Sequence, residues 1–162
     1  MEDFGSKVLE RLLLEMPDVV LETHARLGDA TAVVDPDQLG LVLRFLREEP
    51  DLEFEMLMDL TCVDYLGREP RFEMVYHLFP VAKRHRVRIK ARVSEQSAEI
   101  DSVVEIYRSA NWMEREVWDL YGVRFRNHPD LRRLMLYEEF EGHPLRKDYE
   151  KEKRQPLVGP RN

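Results

Sequence analysis

Hydrophobic and polar positions follow two different periods along the chain, and the changes of period predict the order of its elements. Apolar residues recur at helical spacing over residues 7–16, between Ser6, which can cap a helix, and Pro17, which ends it. The stretches VVLETHA (19–25) and ATAVV (30–34) then read as two short strands joined by a turn. The chain is therefore predicted to begin as helix–strand–strand.

A second helix is predicted from Asp35 and Pro36, a capping carboxylate followed by proline at the first helical position. Three strands follow it. The first, residues 56–65, is largely apolar and is expected to lie centrally in a sheet; the second and third, 71–79 and 86–93, alternate apolar and polar positions. The order α-β-β-α-β-β-β is typical of a mixed sheet packed by helices.

The strand over 86–93 carries a basic row on one face, and this row has two interpretations. Its members are Arg86, Arg88, Lys90 and Arg92. A solvated sheet face is the simpler interpretation, and a docking surface for an acidic partner is the alternative.

Two more helices are predicted over 99–109 and 111–121, with a short strand after Gly122 and a short helix from Pro129. The fold class expected is α+β: a two-layer domain with a mixed sheet of about five strands packed by helices, over residues 1–136. Residues 137–162 contain 12 charged positions in 26 and cannot pack a core of their own. They are predicted to form an extended C-terminal tail that is mobile in the isolated chain and straps onto partner subunits.

Composition and charge narrow the function classes. The chain has 162 residues, of which 43% are hydrophobic, and a net charge of -7. Residues 1–60 hold 5 Lys+Arg and 15 Asp+Glu, whereas 61–162 hold 20 and 17, a distribution that does not favour nucleic-acid binding. No stretch approaches the roughly 20 apolar residues that span a bilayer, and the N-terminus lacks a secretory pattern.

The single cysteine, Cys62, cannot form an internal disulfide or ligate an iron–sulfur cluster alone, so it predicts a reducing compartment and a core position.

The densest polar segment is EREVWDLYGVRFRNHPDLRR, residues 114–133. On the predicted helix, Asn111 would be the N-cap, paired with Glu114 as a capping box, and Gly122 the left-handed stop. The apolar side is assigned to Met113, Val117, Leu120 and Tyr121. Glu116 falls at the edge of that side and is expected to be buried and paired. Trp118 is expected to face outward beside Arg115 and Glu114 as an anchor for a partner; the alternative is that the tail covers it.

Enzymatic and metal-binding interpretations find less support in the same segment. Glu114 and Glu116 diverge on a helix, and Glu116 with Asp119 forms an acid/base pair only if neighbouring arginines leave them free. His128 and His143 each precede a proline without a companion ligand pattern. A stand-alone acid/base enzyme using Glu116 and Asp119 stays open as an alternative.

The motif ERE-x2-D-L-Y-G-V-x-F-x-N-H-P-D-L-R-R, with GHPLRKDY downstream and LMDLTCVDYLG at 57–67, resembles a known family. It is similar to the C subunit of NADH-quinone oxidoreductase, the thirty-kilodalton subunit of respiratory complex I, over about residues 30–150. Two positions depart from the family pattern: Cys62 stands where alanine is common, and Asn127 where glycine is common.

The resemblance implies a cofactor-free α+β subunit of the hydrophilic arm, peripheral on the cytoplasmic side of the bacterial inner membrane. Its implied partners are the quinone-site subunit and the terminal iron–sulfur subunit. FMN, the iron–sulfur clusters, NADH and quinone would be bound by other subunits of this proton-translocating complex. The equivalent subunit of a membrane-bound hydrogenase, or of another quinone oxidoreductase, is an alternative.

Under this resemblance no residue is catalytic, cofactor-binding or metal-binding, and the motif residues form a partner interface or structural ion pairs. These candidates are Glu114, Arg115, Glu116, Trp118, Asp119, Arg124, His128, Arg132, Arg133, Arg146 and Asp148.

Overall fold

The computed structural model describes residues 4–83 and 85–156, and within them the predicted order of the first seven elements is confirmed. The elements are α1 (Phe4–Glu15), β1 (Val20–His24), β2 (Ala30–Val34), α2 (Leu39–Glu48), β3 (Met56–Asp64), β4 (Phe72–Phe79), β5 (Val87–Val93), β6 (Glu99–Asp101), α3 (Ala110–Tyr121) and β7 (Arg124–Arg126).

Five strands form one mixed sheet, as the sequence predicts, in the order β1-β2-β5-β4-β3. The predicted central place of the strand over 56–65 is wrong, because β3 pairs only with β4 and lies at one edge of this sheet. All neighbours are antiparallel except β2 and β5, which run parallel. The two strands are parallel because the chain leaves β2 through α2 and returns to it only after the β3–β4 hairpin. The strand β2 is buried along its whole length.

The start of α2 is set by Asp35, whose side chain accepts the Asp37 backbone N–H at 2.9 Å. A single 3₁₀ turn, Pro36–Gln38, comes between this cap and the helix. Leu39, Val42, Leu43 and Leu46 of α2 are fully buried and join the apolar residues of α1 and the sheet in one core, whereas Leu41 is exposed. Cys62 is part of this core, as predicted, and burial raises the pKa of its thiol to about 12.

The basic row of β5 is neutralised inside the sheet, which favours the solvated-face interpretation over a docking surface. Each of its three strand residues lies against a carboxylate of a neighbouring element. The pairs are Arg88–Asp29 at 2.9 Å, Lys90–Glu73 at 2.6 Å and Arg92–Glu22 at 2.9 Å.

The predicted helix over 99–109 is wrong. Residues Glu99–Asp101 form β6, which pairs in parallel with β7, so that Ile100 lies opposite Phe125 and both are buried. Burial of this apolar pair decides the local structure against helical propensity. The helix predicted from Pro129 is also absent, since residues 127–136 form turns.

Asn127 shows why this position favours glycine in the family that the sequence resembles. Its φ angle is 63°, in the left-handed region that glycine adopts without cost and asparagine tolerates. The chain turns here, directly after β7, toward the polar segment that follows.

The tail is described to residue 156, and the part from 137 onward lies on this chain's own surface. Its mobility in the isolated chain stays a prediction. Within the described ranges, no helix combines the length and apolar character that crossing a bilayer needs.

Candidate functional site

Helix α3 is buried on most of its circumference, and only a narrow stripe faces solvent. The stripe contains Trp112, which is 61% exposed, and Glu116. The other sides are covered by the sheet and by the segment that follows β7. Three polar side chains of the helix, Glu114, Arg115 and Asp119, are therefore buried.

Three predictions about this helix are wrong for one shared reason. Glu116 is exposed rather than buried; Glu114 and Arg115 are buried rather than outward; and Trp118 is partly buried against the core rather than exposed. The predicted apolar side, Met113, Val117, Leu120 and Tyr121, is displaced by about one residue around the helix from the side that is buried. The true buried side includes polar groups because other parts of the chain supply their hydrogen-bond partners.

The predicted capping box is also wrong, because Asn111 lies inside α3 and Ser109 is the N-cap. Gly122, in contrast, is the predicted left-handed stop, with a φ of 75° and an N–H bond to the Trp118 carbonyl. A side chain at this position would meet the His143 ring at 2.5 Å. Glycine is thus required here by backbone conformation and by close packing.

Glu114 binds the turn after β6 instead of its own helix. Its carboxylate accepts the Ser102 hydroxyl and the Val103 backbone N–H, both at 2.7 Å. The nearest basic group is His128, whose Nε2 lies 3.9 Å away. His128 Nδ1 accepts the Asp130 N–H at 3.0 Å, which leaves the ring hydrogen on Nε2, 3.1 Å from the Asn111 carbonyl. Burial raises the pKa of Glu114 to about 7, and the two hydrogen bonds only partly oppose this.

We expect the free energy of unfolding of the unmodified chain to fall as the pH rises from about 4.5 to about 7, and we expect Glu114→Gln to abolish this fall. The pKa of Glu114 is higher in the folded chain than its usual value of 4.5, so the protonated side chain stabilises the fold. This contribution is complete below pH 4.5 and is lost as the pH rises through about 7. A pKa difference of this size corresponds to about 3 kcal/mol. Glutamine carries no charge, and its oxygen can accept the Val103 N–H while its NH₂ group donates to the Ser102 hydroxyl oxygen. Urea unfolding across this pH window measures the difference.

The matched control is Glu116→Gln on the exposed side of the same helix, which should leave the pH dependence of unfolding unchanged. Equal pH dependence in the unmodified chain and in Glu114→Gln would contradict this prediction.

Asp119 organises the segment that follows β7. One carboxylate oxygen accepts the consecutive backbone N–H groups of Leu134, Met135 and Leu136 at 2.8–3.0 Å, and the other accepts Arg133 at 2.7 Å. Burial alone would raise the pKa of Asp119, but the bonds from Leu136, Arg133 and the other N–H groups outweigh it and lower the pKa. Asp119 is fully buried, so it acts as a fixed anchor for this segment.

Arg115 supports the same segment from the other side. Its Nε donates to the Arg132 carbonyl at 3.1 Å and its Nη2 to the Arg133 carbonyl at 3.0 Å. The guanidinium also lies 5.1 Å from the centre of the Trp112 ring. Both acceptors are neutral carbonyls.

The C-terminal segment caps the end of α3, where the last carbonyls have no partner within the helix. His143 Nδ1 donates to the Asp119 carbonyl at 2.9 Å, the Leu145 N–H donates to Leu120 at 3.0 Å, and Arg146 donates to Tyr121. Burial lowers the pKa of His143. Positive charge on Arg146 at a helix C-terminus is also favourable to the helix dipole.

A second anchor for this segment lies at the end of β3. The Arg71 side chain, 2% exposed, binds both oxygens of Asp64 at 2.7 and 2.8 Å and both oxygens of Asp148 at 2.7 and 3.0 Å. It also binds Glu95. The Lys147 N–H adds a bond to Asp64 at 2.7 Å. Arg71 holds the pKa of Asp64 below its usual value despite burial, helped by Lys147.

The candidate residues thus divide by position. Arg115, Asp119, Arg133, Arg146 and Asp148 make bonds that fix the chain after α3, and Glu114 holds the turn after β6. Glu116, Arg124 and Arg132 are exposed. Sequence reasoning did not select Arg71. Its position just before an alternating strand is an ordinary place for a surface arginine, and only Asp64 at the end of the apolar strand hinted at a buried partner.

Glu116 and Asp119 do not form an acid/base pair, because Asp119 is saturated with donors and Glu116 lies on the exposed side of the helix. In the described part of the chain, no group of three or more His, Cys, Asp or Glu residues is placed to hold a metal ion.

Comparison with known proteins gives consistent matches. The family model of the respiratory-chain NADH dehydrogenase 30 Kd subunit matches residues 32–155. The C subunit of NADH-quinone oxidoreductase from Roseiflexus castenholzii is 47% identical over 87% of this chain and 81% of its own. The same subunit of Geotalea uraniireducens is 45% identical over 96% and 90%.

Two solved structures share the fold. The trypsin-resistant fragment (1-134) of Nqo5 superposes with a TM-score of 0.64 at 30% identity, covering 76% of this chain and 99% of that one. A chain of the membrane-bound sulfane sulfur reductase, an archaeal respiratory membrane complex, gives 0.76 at 26% identity, covering 91% and 86%. By its motif, fold and sequence identity, the chain belongs to the family of the respiratory-chain NADH dehydrogenase 30 Kd subunit, which is the C subunit of NADH-quinone oxidoreductase.

Proposed function

We propose that this chain is a cofactor-free structural subunit of a proton-translocating NADH-quinone oxidoreductase. It holds the subunit that forms the quinone site and contacts the terminal iron–sulfur subunit. Electrons pass from NADH through FMN and iron–sulfur clusters on other subunits to quinone. The chain lies peripherally on the cytoplasmic side of the bacterial inner membrane.

The observation that carries the proposal is how the buried carboxylates are used. Glu114, Asp119 and Asp64 each accept hydrogen bonds from side chains and backbone of this chain, and each fastens a segment distant in sequence. Such bonds build a rigid surface, whereas a reacting group must face a substrate. The residues of the family motif therefore support a structural role.

A role as a stand-alone acid/base enzyme gains no support from this geometry. Asp119 is fully buried beneath three backbone N–H groups, and Glu116 lies on the exposed stripe of α3. The two carboxylates do not face a common cleft. A shared cleft is what general acid–base catalysis by a pair requires.

A place in another kind of respiratory complex is the closer rival, since a chain of the sulfane sulfur reductase has the same fold. Its identity of 26% is well below the 45% and 47% of the two relatives from NADH-quinone oxidoreductases. The higher identity favours an NADH-quinone oxidoreductase.

The test is purification of the tagged chain from its own membranes in a mild detergent. We expect a native-gel band with NADH-quinone reductase activity, in which mass spectrometry finds the quinone-site and iron–sulfur subunits. The chain expressed alone should contain neither flavin nor stoichiometric iron.

Three results would overturn the proposal. The first is a tagged chain that elutes without other subunits. The second is a partner carrying the four cysteines of a nickel–iron hydrogenase site, and the third is stoichiometric iron in the isolated chain. As the control for non-specific co-purification, the same tag is placed on an unrelated respiratory protein.

A further inference from the structure

Arg115 carries a charge that no carboxylate of the described chain balances. Its two hydrogen bonds go to the backbone carbonyls of Arg132 and Arg133, and no carboxylate among the described residues lies within 4.0 Å. Only 7% of its surface is exposed. A buried charge ordinarily has an opposite charge beside it, so this guanidinium lacks its expected partner.

The free part of this guanidinium has a definite geometry. The two carbonyls occupy Nε and one N–H of Nη2, which form one edge of the planar group. Nη1 and the second N–H of Nη2 form the other edge and make no bond within the described part of the chain. Two parallel N–H groups on one edge match the two oxygens of a carboxylate.

Arg115 lines a pocket of about 370 Å³ that we call the Arg115 pocket. Its lining residues are Arg115, Trp118, Arg132, Arg133 and Glu138. Arg133 is paired with Asp119 at 2.7 Å and Arg132 with the exposed Asp130 at 3.0 Å. Glu138 is the pocket's one acidic lining residue and makes no ion pair with the described residues. With Arg132 and Arg133 already paired, Arg115 and Glu138 are the two lining residues whose charge is not paired within the described part of the chain.

Trp112 extends this surface with an apolar contact. Its ring lies 5.1 Å from the Arg115 guanidinium, and 61% of the residue is exposed. Tryptophan and arginine are the residue types most enriched at the energetic centres of protein interfaces. A small anion would satisfy Arg115 but would leave the Trp112 ring in water.

We propose that the Arg115 pocket receives a carboxylate side chain from an extended segment of another subunit, and that an apolar neighbour of that carboxylate packs on Trp112. This inference rests on the proposed function, because it supposes a multi-subunit assembly. The carboxylate binds the free edge of Arg115 with two parallel hydrogen bonds. The contact fixes the partner on the outer side of α3.

The first experiment places a photo-crosslinking amino acid at position 112 in the complete complex. We expect one crosslinked partner peptide, with Asp or Glu within a few residues of the attachment point. Neutralising that acidic residue should reduce assembly as much as Trp112→Ala does. The control position is Leu21 on β1, which is 58% exposed and should give a different crosslinking pattern.

The second experiment compares assembly of variants at limiting expression. Trp112→Ala should reduce the amount of chain in the complex at least tenfold, as expected when an interface anchor is truncated. Arg115→Lys keeps the positive charge but lacks the two parallel N–H donors of the guanidinium, so the amount of chain in the complex should fall by an intermediate factor. Leu21→Ala should assemble normally. Thermal unfolding of each isolated chain separates a folding defect from a docking defect. If Arg115→Lys does not fold, assembly of Trp112→Ala and the crosslink at position 112 still test the proposal.

The outcomes separate this inference from the proposed function. If the unmodified chain joins no complex, the proposed function fails. If it does assemble while Trp112→Ala assembles normally, or the crosslink joins lipid or a peptide without acidic residues, only the Arg115 pocket inference fails. Quenching of tryptophan fluorescence by acetate or phosphate alone, with no crosslink to another protein, would assign the pocket to a small anion and overturn it.

Discussion

Replacing Arg71 with methionine is expected to lower the free energy of unfolding by about 3–5 kcal/mol, the usual cost of removing one partner from a buried ion pair. Methionine fills much of the same volume but leaves Asp64 buried without its guanidinium. It also releases Asp148, which joins the tail to the sheet. Urea unfolding of the full chain near neutral pH measures the loss.

The control is Arg126→Met, because Arg126 also contacts two carboxylates, Asp101 at 2.8 Å and Asp37 at 3.5 Å. All three side chains are more than 40% exposed, so the expected cost is below about 1 kcal/mol. Similar losses in the two variants would show that burial does not decide the strength of the Arg71 contacts.

The pH dependence of Arg71→Met adds an independent check. In the unmodified chain Arg71 lowers the pKa of Asp64 below its usual value of 3.8. The ionised Asp64 therefore stabilises the fold at pH values above 3.8, and this contribution is lost as the pH falls through the lower pKa of the folded chain. Without Arg71, burial raises the pKa of Asp64. The difference in free energy of unfolding between the variant and the unmodified chain should therefore become smaller as the pH falls below about 4.

Most elements of the five-stranded sheet and its helices could be predicted because each has its own local signal, but the edge position of β3 depends on which strands pair and could not. The alternation in 86–93, the apolar run of 56–65 and the Asp35-Pro36 helix start are confirmed as β5, β3 and the beginning of α2. These signals depend on residues close together along the chain. Residues 99–109 lacked such a signal, and their structure depends on pairing with β7, more than twenty residues away.

The site was less predictable because its contacts join distant residues. Asp148 lies 77 positions after Arg71, and no periodicity relates them. On α3, the periodic pattern located the helix but not its rotation, since Glu114 and Arg115 are buried by groups outside the helix. Burial of polar side chains follows from where their partners lie, which a hydropathy pattern does not contain.

Asp119→Asn is expected to lower the free energy of local opening of the segment after β7 by about 3–5 kcal/mol, although it changes only one oxygen to an NH₂ group. One side of the Asp119 carboxylate faces three backbone N–H groups and the other faces Arg133. Asparagine has one acceptor oxygen, so in either orientation its NH₂ group faces donors. The variant leaves buried donors unsatisfied and Arg133 without its carboxylate.

The loss should be local to the segment that Asp119 holds. Hydrogen exchange of the Leu134, Met135 and Leu136 amides should accelerate by at least tenfold, while amides in the five-stranded sheet exchange at nearly the same rate. The matched control is Asp130→Asn, whose single partner Arg132 is 71% exposed and whose expected cost is below about 1 kcal/mol. Unchanged exchange at residues 134–136 in Asp119→Asn would mean that this carboxylate does not anchor the segment. The surface offered to a partner would then have to be held by the contacts of Arg115 and Arg71 alone.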